Sequence, residues 1–134
     1  MTHYFPVTVY YEDTDMGGIV YHANYLKFIE RARSDWVRGL GVDQNQLRDQ
    51  GMVFAVHRIE ADFRAPARLD DRLDVTTKVA EASRTRLTLS QDIHRGDTLI
   101  FQARATLIAM SLQGRPRRLP PELAHFPDRI SGNP

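Results

Sequence analysis

The sequence predicts an α+β fold in which an antiparallel sheet of about five strands wraps round one long helix. One strand-like segment comes first, a single helical pattern of apolar residues follows, and four alternating segments fill most of the remaining chain. A sheet that buries one face needs a covering element, and the long helix offers the only extended apolar surface for it. At 134 residues the chain has the length of one domain. We therefore expect a single domain over residues 1–134, with a proline-containing tail from about residue 114.

A turn separates the first strand from the helix. Val7 and Val9, with two tyrosines beside them, predict a strand over residues 5–12. The segment 13–18, Asp-Thr-Asp-Met-Gly-Gly, consists of turn formers and ends that strand. Apolar residues then recur at spacings of three and four, which is typical of a helix with one buried face. They are Tyr25, Phe28, Ile29, Ala32, Trp36, Val37 and Leu40, and Gly39 and Gly41 mark the helix end.

Four alternating segments predict the rest of the sheet. After a polar stretch at 43–50, which we interpret as a brief second helix, inward-facing side chains recur at every second position up to about residue 111. The four sets are Val53, Ala55, His57, Ile59, Ala61 and Phe63; Leu73, Val75, Thr77 and Val79; Leu87, Leu89, Gln91 and Ile93; and Leu99, Phe101, Ala103, Ala105, Leu107 and Ala109. Residues 94–97 predict a hairpin turn and residues 65–71 a longer reversal.

Composition narrows the classes of function. Hydrophobic residues make up 42% of the chain and charged residues 26%, values ordinary for a globular protein. The formal net charge of +1 gives no overall attraction for a polyanion, so we do not expect nucleic acid as a partner. The absence of cysteine excludes disulfides and a cysteine nucleophile and fits a reducing compartment. The segment 1–6 shows neither the basic region nor the apolar run of a signal peptide, and no later stretch approaches ~18 consecutive apolar residues, so we expect a cytoplasmic location.

Two segments of the chain are distinctive in wording and spacing. The first is Tyr-Tyr-Glu-Asp-Thr-Asp-Met-Gly-Gly-Ile-Val-Tyr-His-Ala-Asn-Tyr at 10–25, followed by Phe-Ile-Glu-Arg-Ala-Arg at 28–33. The second is Ala-Pro-Ala-Arg-Leu-Asp-Asp at 65–71. Both resemble the 4-hydroxybenzoyl-CoA thioesterase family, and in particular its YbgC-type members. The resemblance implies a hotdog fold and hydrolysis of acyl-CoA without a metal or other cofactor. It also implies a homodimer or homotetramer with active sites between subunits.

Asp15 is the candidate catalytic carboxylate. It lies in a turn just before the helix, near the positive end of the helix dipole and near unpaired backbone N–H groups. Those groups can bind the oxyanion that forms when a thioester carbonyl is attacked. An aspartate is ionised at neutral pH, so it can attack the carbonyl carbon or deprotonate a water molecule. The leaving thiol, with an ordinary pKa near ~8.5, departs as a thiolate without a strong acid.

Four residues near Asp15 are further candidates. Gly17 and Gly18 carry no side chains, so the backbone and the substrate can approach each other closely. The resemblance places Tyr11 and His22 beside the carboxylate, where Tyr11 orients the substrate and His22 assists hydrogen bonding or proton transfer. It also makes the backbone N–H of His22 the principal oxyanion donor. Packing is an equally good interpretation of the Tyr11 and His22 side chains.

The segment 83–86 is the candidate site for the phosphates of CoA. Ser83, Arg84 and Arg86 lie at a strand boundary where the resembling family tends to hold these phosphates. Arginine suits the role because its planar guanidinium binds phosphate oxygens in pairs. Basic residues at a sheet edge are also a common protection against aggregation. The competing candidates are Arg64, Arg68 and the stretch 115–118.

Other polar residues have structural interpretations. We interpret Asp13 as a structural turn residue and His57, on the apolar phase of its strand, as a core or interface histidine. Glu30 and Arg33 match the family helix, but an exposed-face ion pair or a subunit contact explains them equally well. The five histidines are scattered without metal-ligand spacing, so we expect no metal site. They are His3, His22, His57, His94 and His125.

Three classes of function are compatible with this fold. Acyl-CoA hydrolysis is favoured, because an acidic residue is present at position 15 within the glycine-containing turn. The alternative is a non-catalytic acyl-group binding or scaffold protein, working with an acyl carrier protein or a membrane-envelope complex. A hydratase or dehydratase needs an acid/base pair that the sequence does not display. Tyr25, Phe28, Phe54 and Phe63 suit alkyl and aryl acyl groups alike.

Overall fold

Residues 1–123 form five strands and two helices in the computed structural model, which describes this part of the chain. In chain order the elements are β1 (His3–Thr8), a 3-10 turn (Tyr11–Asp13), α1 (His22–Gly39), α2 (Gln44–Asp49), β2 (Met52–Phe63), β3 (Arg72–Ala82), β4 (Arg86–Arg95) and β5 (Thr98–Ser111). The predicted α+β class, with one long helix and five strands, is confirmed.

The strands form one antiparallel sheet with the order β1-β3-β4-β5-β2. β4 and β5 are joined by the turn predicted at 94–97, in which Gly96 takes a φ of 59° that few residues with side chains adopt. β1 and β2 are the edges of the sheet within the described residues. β2 is 12 residues long, so it leaves a long row of backbone groups without a strand partner.

Helix α1 lies against the sheet with its predicted apolar side inward. Tyr25, Phe28, Ile29, Ala32, Trp36 and Val37 are all buried. The buried side chains fall into two clusters. The first lies near the start of α1 and includes Val7, Val20, Tyr25, Phe28, Ile29, Leu73, Ile93 and Phe101. The second lies near its end and includes Trp36, Val37, Leu87, Leu89, Leu107, Leu119 and Leu123.

A buried polar group joins α1 to the middle of the sheet. Gln91, on β4, is 0% exposed, and its Nε2 donates hydrogen bonds to the Ile29 carbonyl and to Thr77 Oγ1, both at 2.9 Å. Its Oε1 accepts a hydrogen bond of 2.9 Å from Nη1 of Arg33. These partners satisfy a side chain whose polar atoms cost free energy if they are buried alone. Gln91 therefore fixes the helix to the sheet at one point.

The first strand ends earlier than predicted. β1 stops at Thr8, and the prediction that it continues to residue 12 is wrong. Val9 is fully buried, as the alternation implies, but its backbone pairs with a loop instead of a strand. Its N–H donates to the carbonyl of Asp71 at 2.9 Å, and its carbonyl accepts the N–H of Asp70 at 3.0 Å.

The core interpretation of His57 is also wrong. The pairing of β2 with β5 shifts between Val56 and Arg58, so His57 is the extra residue of a β-bulge. A bulge reverses the alternation from that point, and the His57 side chain is exposed. A subunit contact for His57 stays a prediction.

The first part of the tail packs onto the second cluster. The Arg117 N–H donates to the Ala109 carbonyl at 2.9 Å, and Leu119 and Leu123 are buried. The tail is therefore an added layer of the core up to Leu123. The rest of the predicted tail, residues 124–134, lies outside the described residues.

Candidate active site

Asp15 lies in a small hairpin that leads into helix α1. Three pairs form it: the Tyr21 N–H donates to the Asp13 carbonyl at 2.8 Å, Thr14 bridges Val20, and the Asp15 N–H donates to the Ile19 carbonyl at 2.9 Å. The Gly18 N–H donates to the Asp15 carbonyl at 3.0 Å and closes the tip. The hairpin therefore holds Asp15 on an ordered turn directly before the helix start.

The carboxylate of Asp15 is exposed and held at one oxygen. Its Oδ1 accepts a hydrogen bond of 2.8 Å from the Gly17 N–H, and its Oδ2 has no hydrogen-bond partner within residues 1–123. A Cβ at position 17 would lie 3.2 Å from Oδ1, so glycine keeps this approach open. Gly18 has a φ of 78°, which a residue with a side chain adopts at a cost. Both glycines thus serve the conformation of the turn that carries Asp15.

Helix α1 starts with free backbone donors. It begins at His22, and its N-cap residue, Tyr21, makes no side-chain cap. Within residues 1–123 the N–H groups of His22 and Ala23 have no hydrogen-bond acceptor, and the first turn carries no acidic residue. The partial positive charge of this helix end is therefore left for an external anion.

Asp13 is a structural residue, as the sequence suggested. It is 3% exposed, and both of its carboxylate oxygens are occupied. Oδ1 accepts a hydrogen bond of 3.0 Å from Nδ2 of Asn24, and Oδ2 accepts one of 2.9 Å from the Tyr10 N–H. Asp13 thereby ties the hairpin to the first turn of α1 and has no free oxygen for chemistry.

Tyr11 and His22 differ in their surroundings. Tyr11 lies in the 3-10 turn, is 83% exposed, and makes no side-chain hydrogen bond with Asp15 in the described part of the chain. The ring of His22 lies 4.6 Å from that of Tyr21 and 6.2 Å from that of Phe63, between ring centroids. His22 therefore presents its imidazole at the helix start, beside aromatic surface.

The four aromatic residues predicted to suit an acyl group lie in different parts of the structure. Tyr25 and Phe28 are buried in the first cluster, and Phe54 packs on the second cluster at the other end of the helix. Phe63 is 54% exposed, and its ring lies against His22 at the helix start. Of these four aromatic residues, Phe63 is the one that a substrate bound at the start of α1 can contact.

The predicted phosphate site lies at the opposite end of the sheet. Ser83 accepts a hydrogen bond of 3.1 Å from the Arg86 N–H at Oγ, and the Arg84 and Arg86 side chains are exposed. Strand β3 spans about 33 Å from the loop near Asp15 to this turn, at ~3.3 Å per residue. One chain does not bring Ser83, Arg84 and Arg86 together with Asp15.

The competing arginines fall into three places. The Arg84 carbonyl accepts the Leu119 N–H at 2.7 Å, so the stretch 115–118 adjoins the turn at 83–86 and both form one arginine-rich end. None of these arginines forms an ion pair with a carboxylate within residues 1–123. The backbone of Arg68 instead forms an isolated β-bridge with that of Ile19, in the hairpin that carries Asp15. The Arg64 side chain donates a hydrogen bond to Gln102 on the sheet.

Arg33 is buried, and the exposed-face ion pair proposed for it is wrong. It is 8% exposed and donates to Gln91, and no ion pair with Glu30 forms. Burial lowers the pKa of its guanidinium, although Glu30 opposes that shift. The sequence signal for this contact was Gln91 itself, a polar residue in an otherwise apolar inward set.

Within residues 1–123, no group of three or more His, Asp or Glu side chains is placed to hold a metal ion. His125 lies outside these residues. In the same part of the chain, no helix is long and apolar enough to cross a membrane.

Comparisons with known proteins identify the family. The sequence model of the family described as the thioesterase-like superfamily matches residues 9–128. The chain belongs to this superfamily. It is 40% identical to the acyl-CoA thioester hydrolase YbgC of Escherichia coli over 117 residues, which are 86% of this chain and 87% of that protein. It is also 40% identical to the acyl-CoA thioesterase YbgC of Haemophilus influenzae over 109 residues, 81% of this chain and 80% of that one.

A solved structure shows the fold of this thioesterase. The crystal structure of a probable thioesterase from Bartonella henselae superposes with a TM-score of 0.85 at 34% identity, covering 90% of this chain and all 100% of that one. The predicted hotdog fold and the resemblance to YbgC-type enzymes are confirmed. The chain is an acyl-CoA thioester hydrolase, and the relatives favour this enzyme over a non-catalytic acyl-binding protein.

The sequence placed Tyr25 of this thioesterase on the apolar face of the helix and among the aromatic residues that suit an acyl group, but indicated no role for its hydroxyl. Its hydroxyl oxygen accepts a hydrogen bond of 3.2 Å from the Ala67 N–H, and burial raises the pKa of the hydroxyl above 10.0. The Ala67 carbonyl accepts the Val20 N–H at 2.8 Å. The signal was present, since a tyrosine in a buried helical position needs a partner for its hydroxyl.

Proposed function

We propose that the enzyme cleaves acyl-CoA with Asp15 as the residue that starts the reaction. The observation that carries this proposal is the position of the Asp15 carboxylate, held at Oδ1 by Gly17 on a hairpin that ends where α1 begins. The N–H groups of His22 and Ala23, which have no acceptor in the described part of the chain, lie at that helix start. A negative group and a set of anion-binding donors therefore flank the place for a thioester carbonyl.

The carboxylate has two routes to hydrolysis. As a general base, Asp15 takes a proton from water, and the resulting hydroxide attacks the carbonyl carbon. As a nucleophile, it attacks that carbon itself and forms an anhydride, which water then hydrolyses. In both routes the carbonyl oxygen becomes an oxyanion near the helix N–H groups, the C–S bond breaks, and the sulfur leaves as thiolate. The products are a carboxylate and CoA, whose thiol recovers a proton.

The neighbouring residues have supporting roles in this proposal. The backbone N–H of His22 is the principal oxyanion donor, and its imidazole assists hydrogen bonding or proton transfer at the helix start. Tyr11, exposed just before the hairpin, orients the substrate. Gly17 and Gly18 give the thioester access to the carboxylate, because no side chain of theirs covers it.

We further propose that a second copy of the chain completes the substrate site. Ser83, Arg84 and Arg86 bind the phosphates of CoA, yet they lie at the sheet end opposite Asp15 of their own chain. A homodimer or homotetramer can place the arginine turn of one subunit near Asp15 of another. The outer edge of β2, which has no strand partner within residues 1–123, is an available contact for that assembly. Light scattering that gives a stable 15.4 kDa monomer in active preparations would contradict this arrangement.

The substrate, the partners and the cellular location of the enzyme are also part of what we propose. The substrate is an acyl-CoA, and an acyl carrier protein or a membrane-envelope complex stays a prediction from the family resemblance. The cytoplasmic location stays a prediction as well. Phe63 at the helix start offers aromatic surface to either an alkyl or an aryl acyl group.

Asp15→Asn tests the central claim. The asparagine keeps an oxygen for the Gly17 N–H but has no charge, so it neither attacks the carbonyl nor takes a proton. We expect kcat to fall by at least about 10², the lower value for positioned general-base catalysis, with KM nearly unchanged. The melting temperature should stay within about 4 °C of the wild type, since an exposed turn residue contributes about 1 kcal/mol.

Asp49→Asn is the matched control, because Asp49 is exposed at the end of α2, far from the hairpin. Its kcat should equal that of the wild type. A folded Asp15→Asn enzyme with near-normal kcat on its best acyl-CoA would end the claim, and attention would move to another carboxylate.

A further inference from the structure

The loop at 65–71 has no role in the chemistry described so far, although it is one of the two segments that resemble the family. It contacts the chain just before the Asp15 hairpin. The Val9 N–H donates to the Asp71 carbonyl at 2.9 Å, and the Asp70 N–H donates to the Val9 carbonyl at 3.0 Å. The loop is thus joined to the chain by two hydrogen bonds before the hairpin begins.

The same loop contacts the far side of the hairpin. Arg68 bridges Ile19, whose carbonyl also closes the turn at Asp15. The Ala67 carbonyl accepts the Val20 N–H at 2.8 Å, and the Ala67 N–H donates to the Tyr25 hydroxyl at 3.2 Å. The chain before the hairpin, the second strand of the hairpin and the first turn of α1 are therefore all bonded to one loop.

Arg95, at the end of β4, cross-links this loop. Its Nη1 donates to the Pro66 carbonyl at 2.9 Å and to Asp71 Oδ2 at 3.1 Å. The same oxygen of Asp71 accepts the Arg68 N–H at 2.8 Å. One guanidinium therefore joins the beginning of the loop to its end, with Asp71 as the shared acceptor.

We propose that Arg95 is a positioning residue for the thioesterase reaction, and that it acts by holding the 65–71 loop on which the Asp15 hairpin rests. The inference depends on the proposed role of Asp15. Arg95 touches no reacting atom in this arrangement. Its contribution is the geometry of Asp15 relative to the start of α1, set through the hydrogen bonds of Val9 and Val20 with the loop.

The expected signature separates positioning from general stability. The Arg95 and Asp71 side chains are 38% and 26% exposed, so their pairing is of the partly solvated kind that contributes little to the free energy of unfolding. A misplacement of a catalytic group by ~1 Å is nevertheless enough to lower a rate by about 10². Loss of Arg95 should therefore lower kcat far more than it lowers the melting temperature.

The test compares Arg95→Met with Arg104→Met in the full-length enzyme. Methionine keeps most of the aliphatic stem in both variants. Arg104 is a matched control, because it forms a similar exposed pair with Glu81, at 3.3 Å, away from the loop. We expect Arg95→Met to reduce kcat by about 10- to 100-fold with less than a threefold change in KM. Arg104→Met should change neither, and both melting temperatures should fall by about 4 °C or less.

Two further measurements separate the roles. Amide hydrogen exchange followed by NMR should be faster at Val9 and Val20 in Arg95→Met and unchanged in Arg104→Met, because these N–H groups donate to loop carbonyls. Arg95→Lys should recover much of the lost kcat, since one ammonium can donate to both acceptors that Nη1 serves.

The outcomes distinguish this inference from the proposed catalytic role. Normal kcat in folded Arg95→Met, or exchange at Val9 and Val20 like that of the control, overturns the positioning role even if Asp15→Asn is inactive. Normal kcat in Asp15→Asn refutes the proposed function and, with it, the inference that depends on it. Slow turnover in Arg95→Met with faster exchange at Val20 and recovery in Arg95→Lys supports the positioning role.

Discussion

Replacing Gln91 with methionine removes the polar contact between α1 and the middle of the sheet while keeping a side chain of similar length. Three hydrogen bonds of 2.9 Å are lost: to the Ile29 carbonyl, to Thr77 Oγ1 and from Arg33 Nη1. Gln91 is 0% exposed, so water does not replace it without a change in packing. The Arg33 guanidinium is left buried without this acceptor.

The expected loss follows from the kind of each bond. A hydrogen bond to a charged group contributes about 2 kcal/mol and a neutral one about 1 kcal/mol. The loss is reduced because the Ile29 carbonyl lies inside a helix, where an N–H four residues on is also available. Methionine also has no polar group to desolvate. We expect the free energy of unfolding to fall by about 3 kcal/mol.

Thermal and urea unfolding at one protein concentration measure this loss. A melting entropy of about 2.1 cal/mol/K per residue over 134 residues converts it to a fall of about 10 °C in Tm. Gln102→Met is the matched control, because Gln102 accepts a hydrogen bond of 3.0 Å from Arg64 on the exposed side of the sheet. The control should change the free energy of unfolding by less than about 0.5 kcal/mol.

A Gln91→Met protein as stable as Gln102→Met would refute the reasoning, because the buried contact would then contribute no more than an exposed one. A loss that appears only in kcat, with unchanged unfolding, would also contradict it. Equal fixed concentrations matter here, since assembly of subunits adds to the apparent stability.

Two further predictions concern binding and pH. The double variant Arg84→Ala and Arg86→Ala should raise KM for acyl-CoA by about 10-fold at low salt and leave kcat nearly unchanged, because phosphate contacts hold substrate and transition state alike. The effect should shrink above about 0.1 M salt, and unchanged KM at low salt would place the phosphate site elsewhere. Burial raises the pKa of the Tyr25 hydroxyl above 10.0, so the unfolded chain loses this proton first. Wild-type stability should therefore fall as pH rises from about 10 through the folded pKa, a decline that Tyr25→Phe should lack in urea titrations. If the free energies of unfolding of the wild type and of Tyr25→Phe changed with pH in parallel, this prediction would be disproved.

The sequence predicted the elements well where local periodicity decides them. Most of the inward set of β3 and of the apolar side of α1 is buried as expected, with Val79 and Leu40 partly buried, because a sheet or helix face follows directly from spacing. The end of β1 was missed, since Val9 is buried like a strand residue but pairs with a loop. His57 was misplaced because a bulge inserts one residue, which no alternation pattern shows in advance.

The candidate site was predictable only where its parts are close in the chain. Asp15, Gly17 and His22 belong to one segment of eight residues, so their association followed from the turn and the helix start. The distance from Asp15 to the turn at Arg84 depends on strand order, and the sequence gives no direct measure of it. Arg95 was not found, because its partner Asp71 is 24 residues away and only the sheet brings the two together.

The bond from Gln91 to the Ile29 carbonyl also limits how α1 can move. A helix packed on a purely apolar sheet can rotate about its axis, or shift along it by one turn of ~5.4 Å, and still make apolar contacts. A single buried amide that recognises one backbone oxygen permits one roll angle and one axial setting. The hydrogen bond from β4 therefore also determines the direction in which the first turn of α1 presents the His22 N–H, although Ile29 lies about two turns further along the helix.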